Sequence, residues 1–381
     1  MFYLNSPSHK ENIEDPKSKR LSHIHPSTPQ SKRTIAFPSE SISPINILSS
    51  RNSEKRFFPK DISLNIKASN KENGVIKAYA AVTDQGLVRN YNEDRVSIIL
   101  NIIKPLHRKS ETWPYCAFFG IYDGHGGSKC ADFLRDNLHQ LIFKDPRFPF
   151  NAPEAIREGF RQAEMIFTSN ADCCDPKEKS GSCALVVMIV GDVCYVVNLG
   201  DSRAIMSGNN GRKIFALSKD HKPCDDDEIR RIICGGGKVY QSTITTANGQ
   251  SILGPYRVSP GRLSVSRTFG DLYAKSPDLG GNPDVIISQP DIKAFKILPE
   301  HDFILIGTDG VFDKLTNKEI IQCCWNRNLP NIESNPHTQA ANAVNNVMTA
   351  SMNRKSLDNL TAVVIAFDNF HKMKFGLTDM E

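Results

Sequence analysis

The sequence predicts an α+β fold in which antiparallel sheets carry helices on their outer faces. Strand-length apolar runs arrive in hairpin-like order, most plainly 183–190 and 193–199 around Gly191-Asp192, a two-residue hairpin signal. Helix-period segments come in consecutive pairs, at 128–142 and 152–167 and again at 317–325 and 337–352. Strict alternation of strand and helix, the mark of a doubly wound parallel sheet, is absent.

Residues 1–75 are rich in Ser, Pro, Asn and Lys and lack sustained periodicity. Such a composition buries too little apolar surface to offset ordering entropy, so this stretch is expected to be a disordered tail. It carries 12 Lys/Arg against 7 Asp/Glu, which accounts for the whole formal charge of +5 and leaves residues 76–381 balanced. The basic excess therefore belongs to the tail, and no nucleic-acid-binding fold is indicated. Ser6-Pro7, Thr28-Pro29 and Ser43-Pro44 are candidate sites for proline-directed kinases. No signal peptide and no membrane-length apolar run is visible, and the scattered cysteines read as reduced, mostly buried thiols. The expectation is a monomer without a membrane partner, cytoplasmic and/or nuclear.

The folded domain is expected over residues 76–370, with a short tail at 371–381. Strands are predicted at 77–83 and 95–102, separated by a polar connector, and a surface loop at 103–114 holds Pro105 and Pro114. The strand at 117–122 is followed by a helix with Cys130, Phe133, Leu134, Leu138, Leu141 and Ile142 on one face. A second helix starts at Ala152-Pro153-Glu154. A polar loop at 173–181, the hairpin, and a short strand at 203–206 come next. A helix at 225–233 is stopped by Gly235-Gly236-Gly237. Residues 236–283, with many Gly, Ser, Thr and Pro residues, read as a long, partly mobile excursion of the kind that is usually functional. A buried strand at 303–307, two helices and a last strand at 361–367 complete the domain.

The functional signal lies at strand ends. Phe118-Phe119-Gly120-Ile121-Tyr122 runs into Asp123-Gly124-His125-Gly126-Gly127 just before a helix-period segment. An aspartate there can ligate a hard cation, glycines admit close approach, and His125 can pass protons near neutral pH. Asp201 follows the 193–199 run, Asp309 follows 303–307, and Asp358 precedes 361–367. Any one of these is equally a turn former. In antiparallel sheets, however, the end of one strand adjoins the start of its neighbour, so the four, with Glu93-Asp94, can gather at one rim. Carboxylates so gathered repel one another unless cations lie between them. An oxygen-only set points to Mg2+ or Mn2+ rather than zinc. Arg89, four residues before Glu93, is either an exposed ion pair or a clamp for an anionic substrate. Acids for metals, an arginine for an anion and a histidine for a proton suit phosphate-ester hydrolysis.

The same residues carry a resemblance. In order the matching stretches are Arg89-Asn90-Tyr91-Asn92-Glu93-Asp94, Asp123-Gly124-His125-Gly126-Gly127, Ser180-Gly181-Ser182, and Asn198-Leu199-Gly200-Asp201-Ser202-Arg203. Lys219-Asp220-His221-Lys222-Pro223 follows, then residues 261–271, Gly307-Thr308-Asp309-Gly310-Val311-Phe312-Asp313, and Asp358-Asn359-Leu360-Thr361. Over about residues 77–367 the chain resembles the protein phosphatase 2C family, the metal-dependent serine/threonine protein phosphatases.

The resemblance implies a four-layer αββα sandwich with a binuclear metal site at one end. It implies that Glu93, Asp94, Asp123, Asp309, Asp358 and the backbone carbonyl of Gly124 serve two Mg2+ or Mn2+ ions. Asp201 and Asp313, with Asp309, resemble the ligands of a weaker third. Arg89 would hold the phosphate and His125 would act as general acid, while a metal-bridging water attacks phosphorus directly. The implied substrates are phosphoproteins. His221 and Arg267 are expected to orient loops, and Cys183 to be a small buried side chain. Residues 241–259 match no common pattern. The rival readings are a catalytically inactive scaffold module, against which every expected acid is present, and a hydrolase of small phosphate esters.

Overall fold

The structure, a computed structural model, describes residues 64–108, 112–245, 251–326 and 335–371. The candidate kinase sites Ser6, Thr28 and Ser43, and residues 372–381, lie outside them.

Two antiparallel sheets form the centre. One has six strands in the order Lys67–Ala68, Ala78–Asp84, Leu360–Ala366, His301–Gly307, Arg203–Gly208 and Lys213–Ala216. The other has five, in the order Asp291–Lys296, Val193–Leu199, Ala184–Val190, Cys116–Tyr122 and Arg95–Ile99. Central strands bury both faces, which is why they read as unbroken apolar runs. Every residue of Cys116–Tyr122 is buried, and successive side chains enter different layers. Phe119 and Ile121 join Ile304, Ile306, Val363 and Ile365 in the core between the sheets. Phe118 and Tyr122 instead pack with Leu134, Leu138 and Phe160 from the helices Lys129–Lys144 and Ala152–Asp172.

On the far face of the six-stranded sheet, Phe303, Leu305 and Val364 meet Ile320, Val344 and Val347 of the helices Asn317–Trp325 and Pro336–Asn353. Thr316 and Glu319 start the former with a reciprocal capping box. Helix, sheet, sheet, helix is the four-layer αββα sandwich. No described helix is long and apolar enough to cross a membrane.

The structure departs from the sequence expectation at the margins. Lys67–Ala68 pairs with Ala78–Asp84 ahead of Ile76, where the domain was expected to start; both its residues are exposed, so no apolar pattern marks it. Lys213–Ala216 and Asp291–Lys296 are sheet edges and largely exposed, and neither is among the strands expected from sequence. The 236–283 excursion contains a β-hairpin, Lys238–Thr245 with Ser251–Ser259, and a short helix, Leu272–Lys275. The hairpin strand Ser251–Ser259 buries only Val258, which sits on a small core of Ile232, Ala274, Val285 and Ile286. One buried side chain in nine leaves no alternation to detect.

Candidate active site

Strand pairing gathers the acids. Gly307 pairs with both Ala362 and Arg203, so Asp309, Asp358 and Asp201 emerge at one end of the six-stranded sheet. Arg95 pairs with Tyr122, which sets Glu93-Asp94 beside Asp123 at the end of the five-stranded sheet. Carboxylate oxygens of Asp123, Asp201 and Asp309 lie within 4.8 Å of one another. That is about twice a hard-cation–oxygen bond of roughly 2.0–2.6 Å, so one ion fits among them. The structure thus groups Asp201 with Asp123 and Asp309.

The other predicted acids stand around this trio with partners of their own. Asp94 is buried and accepts hydrogen bonds from Thr361 Oγ1 at 2.7 Å and Thr308 Oγ1 at 3.1 Å. Glu93 Oε1 accepts the Gly127 N–H at 2.6 Å, and the Glu93 N–H donates to Asn359 Oδ1. Asp358 Oδ2 accepts from Arg89 at 2.6 Å, and Asp313 Oδ1 accepts from Lys222 Nζ at 3.1 Å. Gly124 has to be glycine here, because a Cβ would stand 2.6 Å from the Glu93 carbonyl oxygen. Thr308, Thr361, Asn359 and Lys222 were not singled out from sequence. Each lies in a stretch that carries the resemblance, near an acid or His221, but neither fact says where a hydroxyl or an amide will reach.

The electrostatics follow from burial without neutralisation. Burial, then repulsion from Asp309, Asp94, Asp201 and Asp358, pushes the Asp123 carboxyl well above the ordinary range. Burial, then repulsion from Asp201, Asp358, Asp313 and Asp94, does likewise to Asp309. Burial raises Asp201 although Lys222 opposes it. Asp94 is pushed up to about 7 by burial, against the hydrogen bonds from Thr361 and Thr308. Such a rim must take up either protons or cations, and its all-oxygen donors fit a hard divalent ion. Cys183, buried as expected, lies 3.5 Å from Asp201 Oδ1. Burial and the adjacent carboxylates raise its thiol far above the usual range, which keeps it a neutral donor rather than a thiolate ligand.

His125 sits at the edge of the rim with Nε2 2.7 Å from Asp271 Oδ2. Burial alone would lower its pKa, but the Asp271 carboxylate outweighs that and raises it. Asp271 ends the 261–271 stretch, and nothing in the sequence says that it meets a histidine so distant in the chain. Arg89 is half exposed and held at the rim by Asp358. His221 is buried, accepting the Gly200 N–H on Nδ1 at 3.0 Å, one residue before Asp201, with Nε2 3.2 Å from Asp291. Arg267 binds Glu228 and Asp291. Both therefore brace loops, as expected of them.

A family model described as Protein phosphatase 2C matches residues 87–360. Probable protein phosphatase 2C 54 of Oryza sativa subsp. japonica is 29% identical over 280 residues, 73% of this chain and 70% of its own length. Probable protein phosphatase 2C 52 of the same organism is 32% identical over 253 residues, 66% of this chain and 45% of its own length. This chain thus spans less than half of that second relative. The solved serine-threonine phosphatase 2C from Toxoplasma gondii matches with a TM-score of 0.55 at 19% identity, over 79% of this chain and 99% of that one. At that identity the likeness speaks for the fold.

Proposed function

From a chain that belongs to the protein phosphatase 2C family, a family of metal-dependent serine/threonine phosphatases, we propose an enzyme that hydrolyses phosphoserine and phosphothreonine in proteins with Mg2+ or Mn2+. The observation that carries this reading is the trio Asp123, Asp201 and Asp309, whose oxygens lie within 4.8 Å of one another. All three are held above the ordinary carboxylate range, first by burial and then by neighbouring carboxylates, which for Asp201 are Asp220 and Asp313. Asp123, Asp309, Asp94, Glu93, Asp358 and the Gly124 carbonyl would hold two ions, and Asp201 and Asp313, with Asp309, a weaker third. Such ions supply neutralising charge for the phosphate and an acidified water for direct in-line attack.

The chain's own groups complete the chemistry. Arg89 spends one N–H on Asp358, and its side chain is 47% exposed. A guanidinium has five donors, so it can hold phosphate oxygens while staying tethered. His125 supplies the proton that the departing serine or threonine oxygen needs. As the P–O bond breaks, its electron pair goes to that oxygen, which takes the proton from the imidazolium. The test is phosphate release from a phosphothreonine peptide with Mn2+ present, removed by a chelator and restored with excess Mn2+. Undiminished release in excess chelator would refute the reading.

A further inference from the structure

His125 and Asp271 are brought together by a device too small to see in sequence. Gly181–Ser182 is the middle strand of a three-stranded sheet, with Gly124–His125 on one side and Phe269–Gly270 on the other. Gly181 pairs with His125 across one edge and with Gly270 across the other. The histidine and the residue after Gly270 therefore meet over Gly181. A Cβ on Gly181 would stand 2.0 Å from Asp271 Oδ2 and 2.5 Å from His125 Nε2, so the missing side chain is the space the pair occupies.

The aspartate is held rigidly. Its backbone is left-handed, at φ 52°, and its N–H donates to the Ser180 carbonyl at 3.1 Å. Left-handed backbone is strained for an L-residue, and such strain persists where the surroundings impose it. Here a buried ion pair imposes it. Glu164 of the Ala152–Asp172 helix accepts the Gly270 N–H at 2.9 Å and Lys275 Nζ at 2.5 Å, and Lys275 also donates to the Thr268 carbonyl at 2.7 Å. The Asp271 side chain keeps 8% of its surface and His125 keeps 33%. His125 Nδ1 makes no hydrogen bond among the described residues.

We infer that Asp271 is a positioning residue for His125, and that by fixing Nε2 it leaves Nδ1 as the atom that protonates the departing oxygen. The inference rests on the general-acid reading above and adds to it the atom and the residue that aims it. The Nε2–H stays on Asp271 throughout. The Nδ1–H bond breaks as the new O–H bond of serine or threonine forms, and water returns a proton to Nδ1 afterwards.

The test compares alkyl with aryl phosphates, because an aryl leaving group needs little protonation. Asp271→Gly deletes the carboxylate at a backbone angle that glycine adopts without cost, so the fold is retained. At saturating Mn2+ we expect its kcat on a phosphothreonine peptide to fall on the order of 10- to 100-fold, part of what a general acid contributes. Its KM, its kcat on an aryl phosphate and its melting temperature should stay near wild type. Asp271→Asn, which keeps an oxygen to accept the Nε2–H and tolerates left-handed backbone, should recover part of the loss. Gly181→Ala drives the pair apart from below and should show the same alkyl-selective loss. In the metal-free protein, 15N spectra should show His125 protonated at Nε2 in wild type and a tautomer mixture in Asp271→Gly. Equal alkyl and aryl losses, no loss, or an unchanged tautomer in Asp271→Gly overturns the inference. His125→Ala separates the two layers: an alkyl-selective loss there with none in Asp271→Gly overturns the positioning role alone, whereas no selectivity there removes the general acid and both fall.

Discussion

The braced acid Glu228, buried, and the rim acids Asp123 and Asp309, partly buried, are treated in opposite ways. Glu228, whose side chain is 3% exposed, receives Arg267 at 2.6 Å and Arg231 at 2.8 Å. Burial pushes its carboxyl up, yet the two guanidiniums bring it down to about 2. Asp123 and Asp309 make no side-chain ion pair among the described residues, and burial and mutual repulsion push them well above the ordinary range. The protein pairs Glu228 with its own arginines and leaves Asp123 and Asp309 without a cationic side chain among the described residues. A buried acid without a partner is expensive, so its survival beside well-paired acids is a functional signal.

The largest expected effect comes from removing a charge at the rim. Asp123→Asn should lower turnover at saturating Mn2+ by about a thousandfold or more, since metal-ion catalysis supplies several kcal/mol. The same change should raise the melting temperature of the metal-free protein, because it relieves repulsion. Near-normal turnover, or a lowered metal-free melting temperature, would break the comparison.

A second effect is the pH dependence of stability, where the two groups should act with opposite sign. Asp94, Asp123, Asp201 and Asp309 have raised folded values, so their stabilisation is complete below the ordinary 3.8 and is lost as pH rises through those values, about 7 for Asp94. Calorimetry of the metal-free protein should show this loss between about pH 4 and 8, and Mn2+ should reverse it. Glu228 has a depressed value, so its stabilisation is present above the ordinary 4.5 and is lost as pH falls through about 2. A metal-free protein whose stability rises steadily from pH 4 to 8 would show that the rim is already neutralised.

Glu228→Gln sharpens the contrast further. Leaving Arg267 and Arg231 without their carboxylate should destabilise by on the order of 3 kcal/mol in denaturant titration, with turnover of the folded enzyme changed far less than stability. The smallest effect is the control. Glu158 and Arg161 form an ion pair on the exposed side of a helix, and Glu158→Gln should leave the melting temperature unchanged within error.

What was legible in the sequence follows from how each element is buried. Central strands such as Cys116–Tyr122 are apolar because both faces are covered, and acids stand just beyond their ends. Edge strands such as Lys213–Ala216 and the hairpin at Lys238–Thr245 and Ser251–Ser259 cover little core, so nothing in their composition requires a strand. The same division runs through the site. Asp123, Asp201 and Asp309 were legible by position, and the bracing roles of His221 and Arg267 from the family resemblance. The hydroxyls of Thr308 and Thr361 on Asp94, and the carboxylate of Asp271 on His125, were not.

By itself the sequence determined which layers would be apolar and which acids would stand at strand ends, because burial and strand period are local properties of the chain. Tertiary structure alone decided which acids cluster, which receive an arginine, and which nitrogen of His125 is left free. Those outcomes depend on distances of a few ångströms between residues far apart in the chain, and antiparallel register, not composition, sets such distances.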